Sequence, residues 1–250
     1  MKVILCLALG LVLLSGGAWL WKAKTSAPRR QTAADIQRAK YEGILRDYYR
    51  EDIERAKEQG KKEVILPGGI ATPTPELSLE ELLRDYGLLR VKVIDKETTI
   101  YVPVPEIPSA DIETWYKVEI VETLHSQRKV RDEAAPFELP GRLLPLLPSE
   151  SLLVVQGGVI NVDGITLVRE VSTGDVEYIP KEEYLIVGYL EYGGKLITPS
   201  SGRASVFHVI NKRLMSAQKE HRLVREIEVR YGNDLDLLRS DMRLRQGREK

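Results

Sequence analysis

The sequence predicts a mainly β protein, a small antiparallel β-barrel or sandwich with an N-terminal hydrophobic helix and flanking α-helices. Three observations carry this expectation. Short apolar or alternating runs recur between Leu88 and Ile210, separated by Gly, Pro and Asp-Gly turn signals and by no long helical pattern. Val3 to Trp21 is free of charge. Helix-period apolar spacing is confined to the segments on either side of the β region. A chain of 250 residues suffices for one sizeable core domain with accessories.

The run VILCLALGLVLLSGGAWLW is long for a signal-peptide core and just long enough for a bilayer-spanning helix of roughly 20 residues. Ser15-Gly16-Gly17-Ala18 offers small residues for cleavage after Ala18; retained, the segment becomes an anchor with Trp19 and Trp21 at the interface. Lys22, Lys24, Arg29 and Arg30 place positive charge after the run, which by the positive-inside rule pulls the other way. The expectation is an exported protein, periplasmic or extracellular, or a single-pass membrane-anchored one. Cys6 lacks the context of a lipid-attachment site, and one cysteine excludes an intrachain disulfide and any multi-cysteine metal centre.

Asp35 is a candidate N-cap for one long helix, Ile36 to Gln59, ended by Gly60. Its stripe of Tyr41, Leu45, Tyr48, Ile53 and Ala56 is thin, and Glu51–Arg55 and Glu58–Lys62 are helix-spaced ion pairs. Such a helix suits a stalk, a docking element, a coiled coil or packing on its own domain by one side. LPGGIATPTP (66–75) cannot be regular structure. Ser78-Leu79-Glu80-Glu81 is a capping box that opens a short helix closed by Gly87. LLRVKVID follows as a strand, with Val91 and Val93 on one face. In TWYKVEIVETL, Trp115, Lys117, Glu119 and Val121 alternate with Tyr116, Val118, Ile120 and Glu122. Four prolines make Ser126 to Ser149 irregular, and its Leu143, Leu144, Leu146 and Leu147 either cover a sheet edge or form an exposed apolar surface. Further strands are expected at 151–156, 159–162, 165–171, 184–192, 195–198 and 206–210. After Lys212 the pattern is helical: Val224, Ile227 and Tyr231 share a face, Gly232 terminates, Asn233 or Asp234 caps, and Leu235, Leu238 and Met242 line a final helix with a frayed basic tail from Arg243. The chain thus divides into a signal peptide or membrane anchor (1–21), a linker and helical spacer (22–75), an antiparallel β-domain (76–211) and a C-terminal helical tail (212–250).

Glycines at 157, 158 and 164 invite comparison with a phosphate-binding loop. That chemistry needs a helix N-terminus straight after the glycines, and the Walker type also needs Lys before Ser or Thr; neither is present. Asp163-Gly164 is instead a type I′ hairpin signal, which sets Val162 against Ile165, Asn161 against Thr166 and Ile160 against Leu167. Gly193-Gly194 reads as a second tight hairpin. His125, His208 and His221 show no metal-ligand spacing, no nucleophile elbow occurs, and Asp163, Asp175 and Glu177 have the look of turn acids. Hence no cofactor, no metal and no enzymatic activity are expected, although a hydrolase could use a carboxylate pair gathered into one cleft. Equal numbers of acidic and basic residues, 37 each, give no field toward nucleic acid.

From Leu79 to Ile210 the order of elements resembles a widespread group of exported bacterial β-domains: a short helix, a first strand, a strand like TWYKVEIVETL, a GG…DG hairpin region, a strand like EEYLIVGYLEY and a closing strand like ASVFHV. More distantly it is similar to netrin-like and OB-like barrels. The resemblance implies a fold more than an activity. The expectation is a non-enzymatic, exported or membrane-anchored envelope module that binds an unidentified protein or glycan and meets the membrane through its N-terminal segment. Its candidate contact surface is Trp115, Tyr116, Tyr189 and Tyr192, whose ordinary alternative role is core packing. An OB-like binder of oligosaccharide or single-stranded nucleic acid is the other class, with nucleic acid disfavoured by the neutral charge.

Overall fold

The computed structural model describes residues 33–66, 76–102, 110–126, 141–171, 175–190, 195–197 and 202–248. The N-terminal apolar run, Tyr192, the Gly193-Gly194 turn and the proline-rich stretch 67–75 lie outside these residues. Among the described residues, no helix is long and apolar enough to cross a membrane.

The organising element is a long hairpin of β2 (Gly87–Tyr101) and β3 (Asp111–His125), paired antiparallel from Leu88/His125 to Tyr101/Asp111. At its base it lies inside a seven-stranded sheet; at its tip it packs into a second, three-stranded one. The large sheet adds β4 (Glu150–Gln156), β7 (Glu183–Leu190), β8 (Leu196–Ile197), β9 (Val206–Ile210) and β10 (Arg213–Met215), in the order β10-β9-β7-β2-β3-β4, with β8 also on β7. The small sheet runs β1-β6-β5, with β1 (Glu63–Leu66) parallel to β6 (Ile165–Arg169) and β5 (Gly158–Val162) antiparallel to it.

Both faces of the large sheet are covered. Against one, Leu88, Leu124, Leu185, Val187 and Phe207 pack under α3 (Leu79–Asp85), α4 (Arg222–Tyr231) and α5 (Leu235–Arg248). On the other, Leu89, Val91, Tyr116, Val118, Leu153 and Ile186 form a separate core. The helices form where their sequence signals stand. Ser78 caps α3 in the reciprocal box with Glu81, Gly232 ends α4 at φ 57°, and the Asp234 carboxylate accepts from the N–H groups of Asp236 and Leu237 at 2.8 and 3.1 Å. Arg239 of α5 donates to both oxygens of Glu122 on β3, at 2.8 and 2.9 Å, and holds that carboxyl below its usual range. Arg239→Ala is expected to cost about 2 kcal/mol at pH 7, because a half-buried bidentate pair is lost. Since the Glu122 value is depressed in the fold, the difference should shrink as pH falls below the ordinary carboxylate value, which urea denaturation at pH 7 and pH 3 would read.

Several expectations are corrected. The large sheet is not closed into a barrel: β4 and β10 are its two ends, and among the described residues the chain at β8, itself only two residues long, meets β4 at the bridge between Leu152 and Lys195, the residue before β8. The 36–59 helix is two, α1 (Ala33–Tyr48) and α2 (Arg50–Glu58), broken at Tyr49 with φ −104° and ψ 24°. The break turns Tyr49 toward the small-sheet core and leaves Tyr48 exposed. Asp35 consequently lies in the first turn of α1 and is not its cap, and Arg55 pairs with Asp52 in place of Glu51. Chain beyond Lys212 is first β10, made possible by a turn in which Asn211 and Lys212 both have positive φ. The basic tail is helical to Arg248, tied down by Gln246 donating to the Leu124 carbonyl.

Other readings hold. Leu45, Ile53 and Ala56 share one core with Ile100, Ile112, Ile160 and Leu167, so the N-terminal helices pack by one side on the small sheet. The Asp163-Gly164 hairpin has the expected register, with φ 51° and 78°. Leu143 and Leu146 cover Trp115 and Leu152, whereas Leu144 and Leu147 face solvent.

Candidate cleft at the open seam of the large sheet

Where β4 and β8 fail to zip, a cleft of about 220 Å³ remains. β3 and β4 supply Glu113, Leu153, Val154, Val155 and Gln156; the chain before β7 supplies Asp175, Val176 and Tyr178; and β8 and its neighbours supply Lys195, Leu196, Ile197 and Val206. At the far end of β4 the Asp175 carboxylate accepts the Gln156 main-chain N–H, a side chain meeting a strand edge.

Glu113 follows from the strand alternation: two residues before Trp115, it shares that side of β3 and is only 8% exposed. Burial pushes its carboxyl up to about 7; Lys195 and a hydrogen bond with Trp115 offset part of the shift, and Asp111 adds to it. Lys195 Nζ lies 5.7 Å from the centre of the Trp115 ring, a cation–π contact. Burial also raises Asp175, partly offset by the Gln156 N–H and the charge of Arg203, whose Nε donates to the Asp175 main-chain oxygen.

Behind the cleft, an aromatic row fixes its floor. Tyr178 meets Tyr116 and Tyr184 edge-on, with centroids 5.2 and 5.0 Å apart, and Tyr184 stacks on His208 at 4.9 Å. The Tyr184 hydroxyl accepts the Ile179 N–H at 3.0 Å, which pins the 175–179 segment. Burial holds the Tyr116 phenol up at about 12 and drives that of Tyr178 further, so both stay neutral donors.

The structure separates the aromatics named from sequence. Trp115 and Tyr116 are 4% and 1% exposed on opposite faces of β3, and both pack in cores. Tyr189 stands near the end of β7, paired with Ile197 of β8 and half-buried against Tyr86, with ring centroids 5.7 Å apart. Tyr192 lies outside the described residues. The three histidines are apart. His125 Nε2 bonds to the Leu83 carbonyl, His208 to Glu182, and His221 caps α4 by accepting from the Leu223 N–H. Among the described residues, no group of three or more His, Cys, Asp or Glu could hold a metal ion.

Sequence reading passed over Glu113, Lys195 and Tyr178, and took Asp175 for a turn acid. The available signal was Glu113 itself, an acid in register with a large aromatic on a strand buried on both faces. Comparison with models of known protein families and with characterised proteins gave no match.

Proposed function

We propose that this chain is a non-catalytic binding module of the cell envelope, exported or held at the membrane by its N-terminal apolar segment, with the seam cleft as its ligand site. One observation carries the cleft assignment: Glu113 is buried in an unsealed gap at a standing cost to folding. Raising its carboxyl from 4.5 to about 7 amounts to about 3 kcal/mol at neutral pH, and a fold needs no acid there. Ionisable groups held against their solvation concentrate at working sites. At about 220 Å³ the cleft suits a small molecule or one side chain of a protein or glycan partner. The charge-free run Val3 to Trp21 and the resemblance to exported β-domains support the location.

Saturation-transfer NMR of a fragment collection on the full chain tests the cleft. Fragments bound by the wild type and lost in Gln156→Trp, which fills the cleft from an exposed position, are the expected result; fragments that do not discriminate would remove the assignment. Fractionation with N-terminal sequencing tests location, and a cytoplasmic chain beginning at Met1 would remove export.

A hydrolytic reading is kept because Glu113 and Asp175 do share one cleft. A carboxyl titrating near neutrality suits a general acid, and a second carboxylate could activate water. Turnover of aryl glycosides or esters that disappears in Glu113→Gln would favour this reading over binding alone.

A further inference from the structure

We propose that His221 is an acid-released latch: as a neutral ring it caps α4, and on taking up a proton it lets go of the first turn of that helix and of the start of α3 that this turn holds. The device is separate from the seam cleft and stands or falls apart from it.

Helix N-caps are ordinarily Ser, Thr, Asp or Asn, whose oxygens accept a hydrogen bond throughout the neutral range. α4 has an imidazole in that place. His221 lies in extended backbone, φ −69° and ψ 138°, and its Nδ1 accepts the Leu223 N–H at 3.2 Å. A ring nitrogen that accepts carries no proton, so the single proton of the neutral ring is on Nε2. Nε2 is buried and meets no acceptor among the described residues. A second proton has to go to Nδ1. It would turn the capping acceptor into a donor aimed at the Leu223 N–H and put a positive charge at the positive end of the helix dipole. No ion pair meets that charge among the described residues.

The charges nearby do not reverse this. Along the chain stand Lys219, Glu220, Arg222, Arg225 and Glu226; on the α3 side stand Glu76, Glu80 and Glu81, and the 3-10 turn Gly202–Ser205, packed on α4, carries Arg203. Glu220 is paired with Arg225, Glu81 with Arg222, and Glu226 with Arg230. α5 brings Asp241 and Arg245 to the far end of α4, at Tyr231. Glu76 favours the protonated ring, but desolvation is the larger effect and holds the imidazole below its ordinary 6.5. The folded ring thus binds its proton less tightly than the unfolded chain does. The cap's contribution is whole above pH 6.5 and is lost as pH falls through the folded value.

The next residues show what the latch holds. The Arg225 N–H donates to the His221 carbonyl, Arg222 pairs with Glu81 at 3.5 Å, and the Glu226 carboxylate accepts at 2.8 Å from the N–H of Leu79, the first residue of α3. The opening turn of α4 therefore also fastens α3.

Imidazole and amide 15N spectra of the full chain, recorded from about pH 7.5 to about pH 4.5, read the ring and the helix together, and urea midpoints at both ends read stability. The expected result is an Nε2–H tautomer of His221 at the upper end and one transition below 6.5, with the Leu223 and Leu79 amide shifts following that same transition. In His221→Asn the side-chain oxygen caps across the whole range. Relative to that variant, the folding equilibrium constant of the wild type should fall about fivefold from the upper to the lower pH, the worth of one N-cap. An Nδ1–H tautomer at the upper pH, a transition at or above 6.5, or a wild-type to His221→Asn ratio flat across the range would each overturn the latch. Leu223 moving while Leu79 stays would overturn the hold on α3. His221→Ser is the second capping variant and takes the place of His221→Asn should that chain not fold.

Discussion

Gly158→Ala should destabilise the protein by about 3 kcal/mol or more, read as a loss of urea midpoint at unchanged slope. Gly158 has φ 141°, and a Cβ there would lie 2.5 Å from Thr114 Oγ1 and 2.8 Å from Thr98 Cγ2. Those atoms have little room to yield. Thr114 Oγ1 donates to the Gly157 carbonyl at 2.8 Å and lies 3.1 Å from Thr98 Oγ1, so moving it breaks two hydrogen bonds and shifts two β-branched side chains. Gly157 and Gly158 form the corner at which the chain leaves the large sheet and enters the small one, with the Gly157 N–H donating to Ile112. Gly60 is the internal comparison. It too has positive φ, 66°, but has nothing within 4 Å of its virtual Cβ. Gly60→Ala should therefore cost only about 1 kcal/mol, the backbone share alone. Equal losses at the two positions would show that crowding at the corner contributes nothing.

Glu113→Gln should do the opposite at neutral and alkaline pH, stabilising the fold by about 3 kcal/mol at pH 8 and by almost nothing at pH 4. The folded carboxyl sits at about 7, above its ordinary 4.5, so the folded state binds this proton more tightly than the unfolded chain. The wild type therefore keeps this contribution below about pH 4.5 and loses it progressively as pH rises through 7. Glutamine keeps an acceptor for the Trp115 indole and has no charge to desolvate. A wild-type minus variant difference that is flat from pH 4 to pH 8 would refute the burial of this charge. Stability gained together with ligand binding lost, in one variant, is the signature of a group kept for use.

Local chemistry was legible in the sequence and long-range geometry was not. The capping box at Ser78, the Asp163-Gly164 register, and the buried faces of α4 and α5 each depend on a few neighbouring residues, and each stands as read. β1 escaped because Glu63–Leu66 is too short to show a period, and its partner β6 lies a hundred residues on. β10 escaped because Asn-Lys is a poor advertisement for two positive φ values. That the large sheet does not close into a barrel is a matter of how β8 meets β4, a long-range pairing that no local pattern encodes. For the site, aromatics drew attention as large anchors, yet Trp115 and Tyr116 take the ordinary alternative, core packing, because β3 is covered on both faces. The acid beside them carried the better signal.

One strand joins the two halves of the fold at single-residue spacing. Ile112 sits in the core beneath α1 and α2, Glu113 in the cleft, and Thr114 at the glycine corner. β3 is a backbone common to both cores and to the cleft. The packing of the N-terminal helices on Ile112 and the placing of the Glu113 carboxyl thus depend on the same short stretch of backbone, one peptide bond apart.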